Sequence, residues 1–363
     1  MSNLRKATHA GTWYENSKED LVNEFEKVLS DDSSEIEKGR IIVSPHAGYS
    51  YSLPQILASF KHLSLTKSTT TVIVIGPSHT QYFENHVKLS QFTNLQTPLG
   101  NLQVDVDAIE KLIESNGDLF KKTDSLMELK EHSLEMQYPV LKYLLDQKNL
   151  VNVKVIPVSI SHFDPDDLRG LIEIMFGVVD PKATSIVVSC DFTHWGGHFE
   201  YHTAFATYVD LMKTLKYQEP VEVENCIDIE IEEAHKKVSL DTGIKFLDLG
   251  AMLILSNYHL DKTFYDTMQL NNFDTWSSSL KEFKKNIPET RLEMFMEYLD
   301  ETDATICGKW PLVFTLVLLE NSKLAKDFGL TESSGYKFVD YNKSSTVASR
   351  DDSSVSYVSG YIV

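Results

Sequence analysis

Four histidines each follow a short apolar run of the chain. They are His46 in RIIVSPHAGYSY, His79 in TVIVIGPSHT, His162 in VKVIPVSISH and His194 in SIVVSCDFTHWGG. Apolar β-branched runs that stop at a turn are typical of buried strands, and the carboxyl ends of strands in open α/β sheets face the ligand crevice. A single histidine in such a place is more often a satisfied turn residue. Four in the same place predict a shared site.

The residue types near these strand ends could bind a metal ion. The candidate ligands are two histidines, a carboxylate and a cysteine: His46, His79, Asp191 and Cys307. Imidazole suits iron, copper and zinc, and two histidines with one carboxylate also serve non-haem Fe(II) and oxygen chemistry. His194 would then act as an acid or base beside the ion, since imidazole has an ordinary pKa of ~6.5. These positions are far apart in the chain, so spacing alone leaves open whether they converge.

A fifth segment, EHSLEMQ, carries further polar residues. Glu131 and Glu135 are four positions apart, so on a helix they would share one face, and His132 between them could face a pocket. We therefore expect Glu131 and His132 to line the site. The alternative is a segment that only caps and packs. His162 is the weakest strand-end candidate, because the acidic turn after it is typical of a surface.

The elements that must position these residues are predicted from their apolar patterns. The four runs before the histidines are expected to be buried strands of an α/β fold, with helices between them. The alternation in residues 336–341 and 354–363 predicts two more strands, and Leu312–Leu319 predicts an apolar helix or buried segment. Between about residues 200 and 300 the pattern becomes helical, with polar linkers.

Composition limits the classes of partner. The chain has 363 residues, with 34 Lys and Arg against 53 Asp and Glu and a net charge of −19, which argues against nucleic acid and anionic membranes as partners. No apolar stretch approaches the ~20 residues that span a bilayer, so membrane insertion is not expected. The first residues lack an apolar signal-peptide core. Three cysteines do not make a disulfide framework, so a reducing, cytoplasmic location is expected.

Eight motifs occur in an order that resembles the Memo family. They are HAGTWY, PHAGYSY, GPSH, TPLGNL, EHSLEMQ, DFTHWG, TICG and DDSSVSY. The resemblance covers most of residues 5–200 and 290–363 and looks closest to fungal members. It implies one Memo-like domain over residues 1–363, with a mostly helical insertion within about residues 205–290. It also implies an α/β/α sandwich around a mixed central sheet, similar to the class III extradiol dioxygenases.

The resemblance also implies roles for the candidate residues. The dioxygenases hold Fe(II) with two histidines and a glutamate, and His46 and His79 match the two metal histidines. Cys307 falls at the position of the carboxylate ligand. Asp191 and His194 match residues that line the pocket, with His194 at the acid/base position. A thiolate ligand argues against ordinary ring cleavage and makes copper competitive with iron, so one copper or iron ion is the expected cofactor.

Three functions follow from this resemblance as hypotheses. The first is a redox-active metal protein of the cytoplasm, with the nucleus as a second location, acting in signalling for motility or invasive growth. The second is a non-catalytic adaptor that binds phosphotyrosine-containing peptides of signalling proteins. The motifs place no arginine beside the four histidines, however, and arginine or lysine usually holds phosphate. The third is a surviving extradiol-type dioxygenase.

Overall fold

The computed structural model describes residues 3–29, 36–215, 236–270 and 290–363. Parts of the predicted insertion, residues 216–235 and 271–289, lie outside these described residues. The chain divides into two compact units. The first unit comprises Met1–Cys190, Gly308–Glu332 and Ser359–Val363, and the second comprises Asp191–Cys307 and Ser333–Val358.

The helices and strands of the described residues are numbered in chain order. The strands are β1 (Leu4–Arg5), β2 (Ile41–Ser44), β3 (Thr71–Pro77), β4 (Val87–Leu89), β5 (Asn94–Thr97), β6 (Gly100–Val104), β7 (Phe120–Lys122), β8 (Lys154–Ile160), β9 (Thr184–Ser189), β10 (His194–Gly196), β11 (Tyr336–Lys343) and β12 (Ser353–Ile362). The helices are α1 (Lys18–Leu29), α2 (Tyr49–Lys61), α3 (Val106–Ser115), α4 (Ser125–Lys130), α5 (Tyr138–Gln147), α6 (Pro165–Val178), α7 (Tyr208–Thr214), α8 (Leu240–Leu255), α9 (Lys262–Thr267), α10 (Arg291–Thr302), α11 (Lys309–Glu320) and α12 (Ser322–Asp327).

The sheet of the first unit is mixed, as predicted. Its strand order is β1, β5, β6, β8, β3, β9 and β2, followed by the last residues of β12. Strand β3 runs parallel to both β8 and β9, and β9 runs parallel to β2. Antiparallel pairs join β5 to β6, β4 to β8 and β12 to β2. The four predicted strands before the histidines are therefore neighbours in one sheet.

Helices cover both faces of this sheet. Every residue of β2, β3 and β9 is buried, which requires cover on both faces of a parallel sheet. Helix α2 packs on β2 and contacts α1 and α5, whereas α11 packs on β3 and β9 and contacts α6 and α12. Burial of each Val or Ile side chain contributes about 1.5–3 kcal/mol, so these runs stabilise the sheet strongly. The predicted α/β sandwich is confirmed.

The parallel strands bring their turns to one edge of the sheet. Ser44 at the end of β2 pairs with Ser189 at the end of β9, and β3 ends beside them at Pro77. His46 and His79 lie two residues beyond the ends of β2 and β3. Both histidines therefore leave the sheet at the same edge, which is the placement that the sequence predicted.

The second unit combines a small antiparallel pairing with helices. Strand β10 pairs with the first part of β12, with His194 opposite Val355, and β11 also pairs with β12. Helix α8 is buried over most of its length and packs on α7 and α10. The described part of residues 205–290 is thus mainly helical, through α7, α8 and α9. That this stretch is an insertion stays a prediction. None of the described helices is both long and apolar enough to cross a membrane.

Two polar pairs whose spacing would fit one helix face, Glu131 with Glu135 and Asp191 with His194, do not share a helix. Glu131 and Glu135 do not share a helix face, because α4 ends at Lys130 and Glu131 is extended, with φ −74° and ψ 123°. The Glu131 carboxylate accepts the N–H of Ser133, a local bond that competes with helix formation. Asp191 and His194 do not share a helical turn either. The N–H of Phe192 donates to the carbonyl of Ser356 in β12, so this backbone joins a strand instead.

Candidate metal centre

Three histidines of the first unit converge beyond the carboxyl edge of its sheet. His46, His79 and His132 each offer a ligand nitrogen, and these atoms lie within 4.8 Å of one another. The ring centroids are 5.3 Å apart for His46 and His79, and 4.5 Å apart for His79 and His132. His46 is 1% exposed, whereas the other two are partly exposed. The cluster is therefore reachable from solvent through His79 and His132.

The protonation of His46 follows from its partner, Ser189. The Ser189 hydroxyl donates its one hydrogen to the carbonyl of Ser133, at 2.7 Å. Its oxygen also accepts a hydrogen bond from the Gln137 side-chain amide, at 3.1 Å. Since the hydroxyl has no second hydrogen, the 2.8 Å contact with His46 Nδ1 must be an N–H donation from the ring. In the neutral ring, Nε2 is then the nitrogen that can bind an ion.

Glu131 holds the His79 ring through the same nitrogen, Nδ1. One carboxylate oxygen lies 2.9 Å from His79 Nδ1, and the other accepts the His79 backbone N–H at 2.6 Å. Burial alone would raise the pKa of Glu131, but the hydrogen bonds and charge of His79 and the Ser133 N–H lower it to about 2. The ionised carboxylate can only accept, so His79 donates through Nδ1 and presents Nε2. Carboxylate–histidine pairs of this kind commonly orient metal ligands.

His132 completes the cluster with a less restrained ring. Its Nδ1 lies 3.7 Å from Glu131, beyond hydrogen-bond range, and its ring packs against Trp13 with centroids 4.6 Å apart. Burial and the neighbouring His79 lower the pKa of His132 to about 4, despite the opposing charge of Glu131. His132 is therefore neutral at neutral pH, which a metal ligand requires.

Removing the Ser189 hydroxyl should weaken ion binding without deleting a ligand. In Ser189→Ala the Nδ1–H of His46 loses its acceptor, so the ring orientation and tautomer are no longer fixed. Loss of such a partner typically lowers metal affinity 10–100-fold. Competition titrations against a chromogenic chelator would measure the change. An affinity equal to that of the wild type would show that Ser189 does not orient the ligand.

The remaining predicted site residues belong to the second unit. Cys307 lies in a turn, and its thiol contacts the carbonyl of Asp191, with Sγ 3.4 Å from the oxygen. The backbone N–H of His194 donates to the Thr305 hydroxyl at 3.0 Å, and the hydroxyl donates back to the His194 carbonyl at 2.7 Å. His194 Nδ1 lies 2.9 Å from the carbonyl of Phe192, so it carries the proton. The DFTHWG and TICG segments are thus joined within this unit.

A buried carboxylate forms a hydrogen bond with the DFTHWG segment. Asp248 of α8 accepts the N–H of Thr193 at 3.1 Å and the hydroxyl of Tyr341 at 2.8 Å. Burial raises the pKa of Asp248, against the lowering effect of these hydrogen bonds. Sequence reasoning missed this residue, because it lies within an apolar helical pattern.

The structure brings together only part of the predicted site within the first unit. His46, His79, Glu131 and His132 meet there, and His132 is a member of the cluster rather than only a lining residue. His162 is exposed and packs against Trp310, with centroids 4.9 Å apart, so it is the surface residue that was expected. Ser189 was missed. Its only signal was a polar residue at the end of a buried strand.

The donor set fits a copper or iron ion. Two imidazoles are held with Nδ1 protonated, a third is kept neutral, and neutral imidazole is a ligand for copper, iron and zinc. The partly exposed rings of His79 and His132 give an ion a path of entry. The roles assigned to Asp191, His194 and Cys307 stay predictions.

Comparison with known proteins decides the family. The family model described as Memo-like protein matches residues 5–361. The chain belongs to the Memo family. Among Memo relatives, it is 35% identical to "MEMO1 family protein MHO1" of Saccharomyces cerevisiae over 368 residues, covering 99% of this chain and 98% of the relative. It is 26% identical to "Protein MEMO1" of Xenopus laevis over 367 residues, covering 100% of this chain and 99% of the relative. The predicted family is confirmed.

Proposed function

We propose that this Memo-family protein binds one copper or iron ion through His46 and His79 and serves as a redox-active metal protein. The observation that carries the proposal is the convergence of imidazoles whose Nδ1–H groups are held by Ser189 and Glu131, which leaves Nε2 as the nitrogen for an ion. A bound copper or iron ion would supply one-electron redox chemistry. The chain's own residues orient the ligand rings, hold a proton on Nδ1 of His46 and His79, and leave the site accessible through the partly exposed His79 and His132.

His132 and Cys307 are the two candidates for the third ligand. The geometry of the first unit favours His132, whose ligand atom lies within 4.8 Å of the others. The family resemblance favours Cys307. A thiolate draws the site toward copper, whereas three imidazoles suit copper, iron and zinc alike.

A pair of variants distinguishes the two ligands. If Cys307 binds the ion, Cys307→Ser should lower copper affinity far more than His132→Ala and should remove any sulfur-to-metal charge-transfer absorption. If His132 binds it, the order is reversed. Purified protein would be loaded anaerobically with Cu(I) or Fe(II), and its metal content and oxidation on exposure to air would be recorded. Wild-type protein that retains neither metal would overturn the proposal.

The wider role is proposed from the family resemblance. We place the protein in signalling for motility or invasive growth, in the cytoplasm and the nucleus. A fluorescently tagged copy and growth assays of a deletion strain carrying His79→Ala would test this. Wild-type invasive growth in the His79→Ala strain would show that signalling does not need the metal site.

The phosphopeptide and dioxygenase alternatives have less support. Arg5 lies beside the same EHSLE segment, but it is 1% exposed and donates to Glu135 and to three backbone carbonyls. It is therefore not presented to a phosphate group. Ring cleavage would be tested by oxygen uptake on a panel of catechols, and uptake by the Fe(II)-loaded protein would restore that alternative.

A further inference from the structure

A buried ion pair adjoins the segment that carries His132. Arg5 Nη1 is 2.6 Å from Glu135 Oε2, and the two side chains are 1% and 0% exposed. Burying two charges costs several kcal/mol per ion, and the attraction repays this only when further hydrogen bonds complete the pair. A well-packed apolar pair is often as stable as a buried ion pair, so stability alone does not explain why charges lie here.

Glu135 collects donors from one segment of the chain. Its oxygens accept the His9 backbone N–H at 2.9 Å, the His9 ring at 2.8 Å and the Tyr14 hydroxyl at 2.8 Å. The Thr8 hydroxyl approaches at 3.2 Å. Together with Arg5, these donors all lie in residues 5–14, which we call the N-terminal segment. Glu135 therefore anchors the whole segment at one point.

Arg5 links this anchor to the backbone that carries His132. While Nη1 bonds the Glu135 carboxylate, Nη2 donates to the carbonyl of Glu131 at 2.9 Å and to that of Glu128 at 2.7 Å. One guanidinium thus holds the chain on both sides of His132. Its planar, fixed arrangement of donors suits this task in a way that a lysine does not.

The anchored segment also supplies the neighbours of the His132 ring. Trp13 packs against it with centroids 4.6 Å apart, and the His9 ring lies 6.1 Å away. Trp13 is held in turn, since its carbonyl accepts the N–H of Tyr49 at 2.8 Å. Because His132 has no short hydrogen bond to Glu131, the position of its ring is set by these packing contacts, by stacking on His79 and by the fixed backbone.

We infer that Arg5 and Glu135 are positioning residues for the candidate metal centre. They fix His132 and the N-terminal segment relative to each other. The inference rests on the proposed metal function. It adds that the N-terminal segment lines the site, through the Trp13 and His9 rings beside His132. Substitution of a residue that acts through His132 should change the environment of the His132 ring even when the fold is intact.

The test compares Glu135→Gln and Arg5→Lys with Asp241→Asn. Asp241 pairs with Lys343 in the second unit and serves as the matched control for loss of a buried or partly buried ion pair. Tyr14→Phe, which removes a single hydrogen bond to Glu135, provides a milder variant if Glu135→Gln does not fold. All proteins would be compared at a temperature where circular dichroism shows them folded.

Two readouts are needed. In metal-free protein, the histidine ring signals in ¹⁵N-labelled samples should shift for His132 in the Arg5, Tyr14 and Glu135 variants, and stay at wild-type positions in Asp241→Asn. In Cu(II)-loaded protein, Glu135→Gln should lower affinity about 5–50-fold and alter the electron paramagnetic resonance spectrum. Unchanged His132 signals and an unchanged spectrum would overturn the inference. Wild-type protein that binds no metal would instead overturn the proposed function, whatever the ring signals show.

Discussion

His79→Ala should lower the affinity of the protein for copper or iron by at least about 100-fold, or about 2.7 kcal/mol. The substitution removes a ligand nitrogen and leaves the Glu131 carboxylate without the ring that it orients. It should leave the sheet intact, because His79 lies beyond the end of β3 and is partly exposed. Metal content after dialysis and competition titration would measure the loss.

His162→Ala is the matched control for this experiment. It also removes a histidine just after a strand of the same sheet, but His162 is exposed and contacts Trp310 rather than the cluster. Its metal affinity should equal that of the wild type. Equal losses in the two variants would mean that the ion binds histidines without regard to the cluster, which contradicts the proposed site.

The first unit should lose stability between about pH 4.5 and pH 2. Burial opposes ionisation of Glu131 and Glu135, but hydrogen bonds and charges from His79, His9 and Arg5 lower both pKa values to about 2. A carboxylate whose pKa is depressed in the folded state contributes stability above its unfolded pKa. That contribution disappears as the pH falls through the folded pKa. Each carboxylate should account for about 3 kcal/mol of the free energy of unfolding.

Urea unfolding at a series of pH values would test this linkage. The wild-type free energy of unfolding should fall steeply between pH 4.5 and pH 2, and Glu135→Gln should be less stable at pH 7 with a shallower fall. Hydrogen exchange in β2, β3 and β9 would report on the first unit alone. An identical pH dependence in Glu135→Gln would show that this carboxylate does not carry the acid sensitivity.

Continuous apolar runs were enough to predict the sheet edge, because parallel strands buried on both faces have no alternating polar positions. The runs at β2, β3 and β9 have no polar face, so their ends and the histidines beyond them were visible in the sequence. The conformation of the EHSLE segment was not visible in the sequence. Its spacing fits a helix, but the Glu131 side chain bonds the nearby backbone and stops α4 at Lys130.

The side chains that hold the site residues in place could not be predicted either, and the reason is a different one. Ser189 and Arg5 act through contacts that span long stretches of the chain, such as Arg5 with Glu135 and Ser189 with His46. Nothing in local spacing signals such a pairing. An arginine near the start of the chain reads as a surface charge, and its burial at 1% exposure appears only once the sheet and the EHSLE segment are folded together.

X-ray absorption at the metal edge of the singly loaded wild-type protein tests the central claim most directly. The method counts imidazole rings bound to the ion and detects a sulfur ligand in the same spectrum. We predict scattering from at least two imidazoles, with one of them lost in His46→Ala. An ion bound without imidazole ligands, or a spectrum that His46→Ala leaves unchanged, would contradict the account.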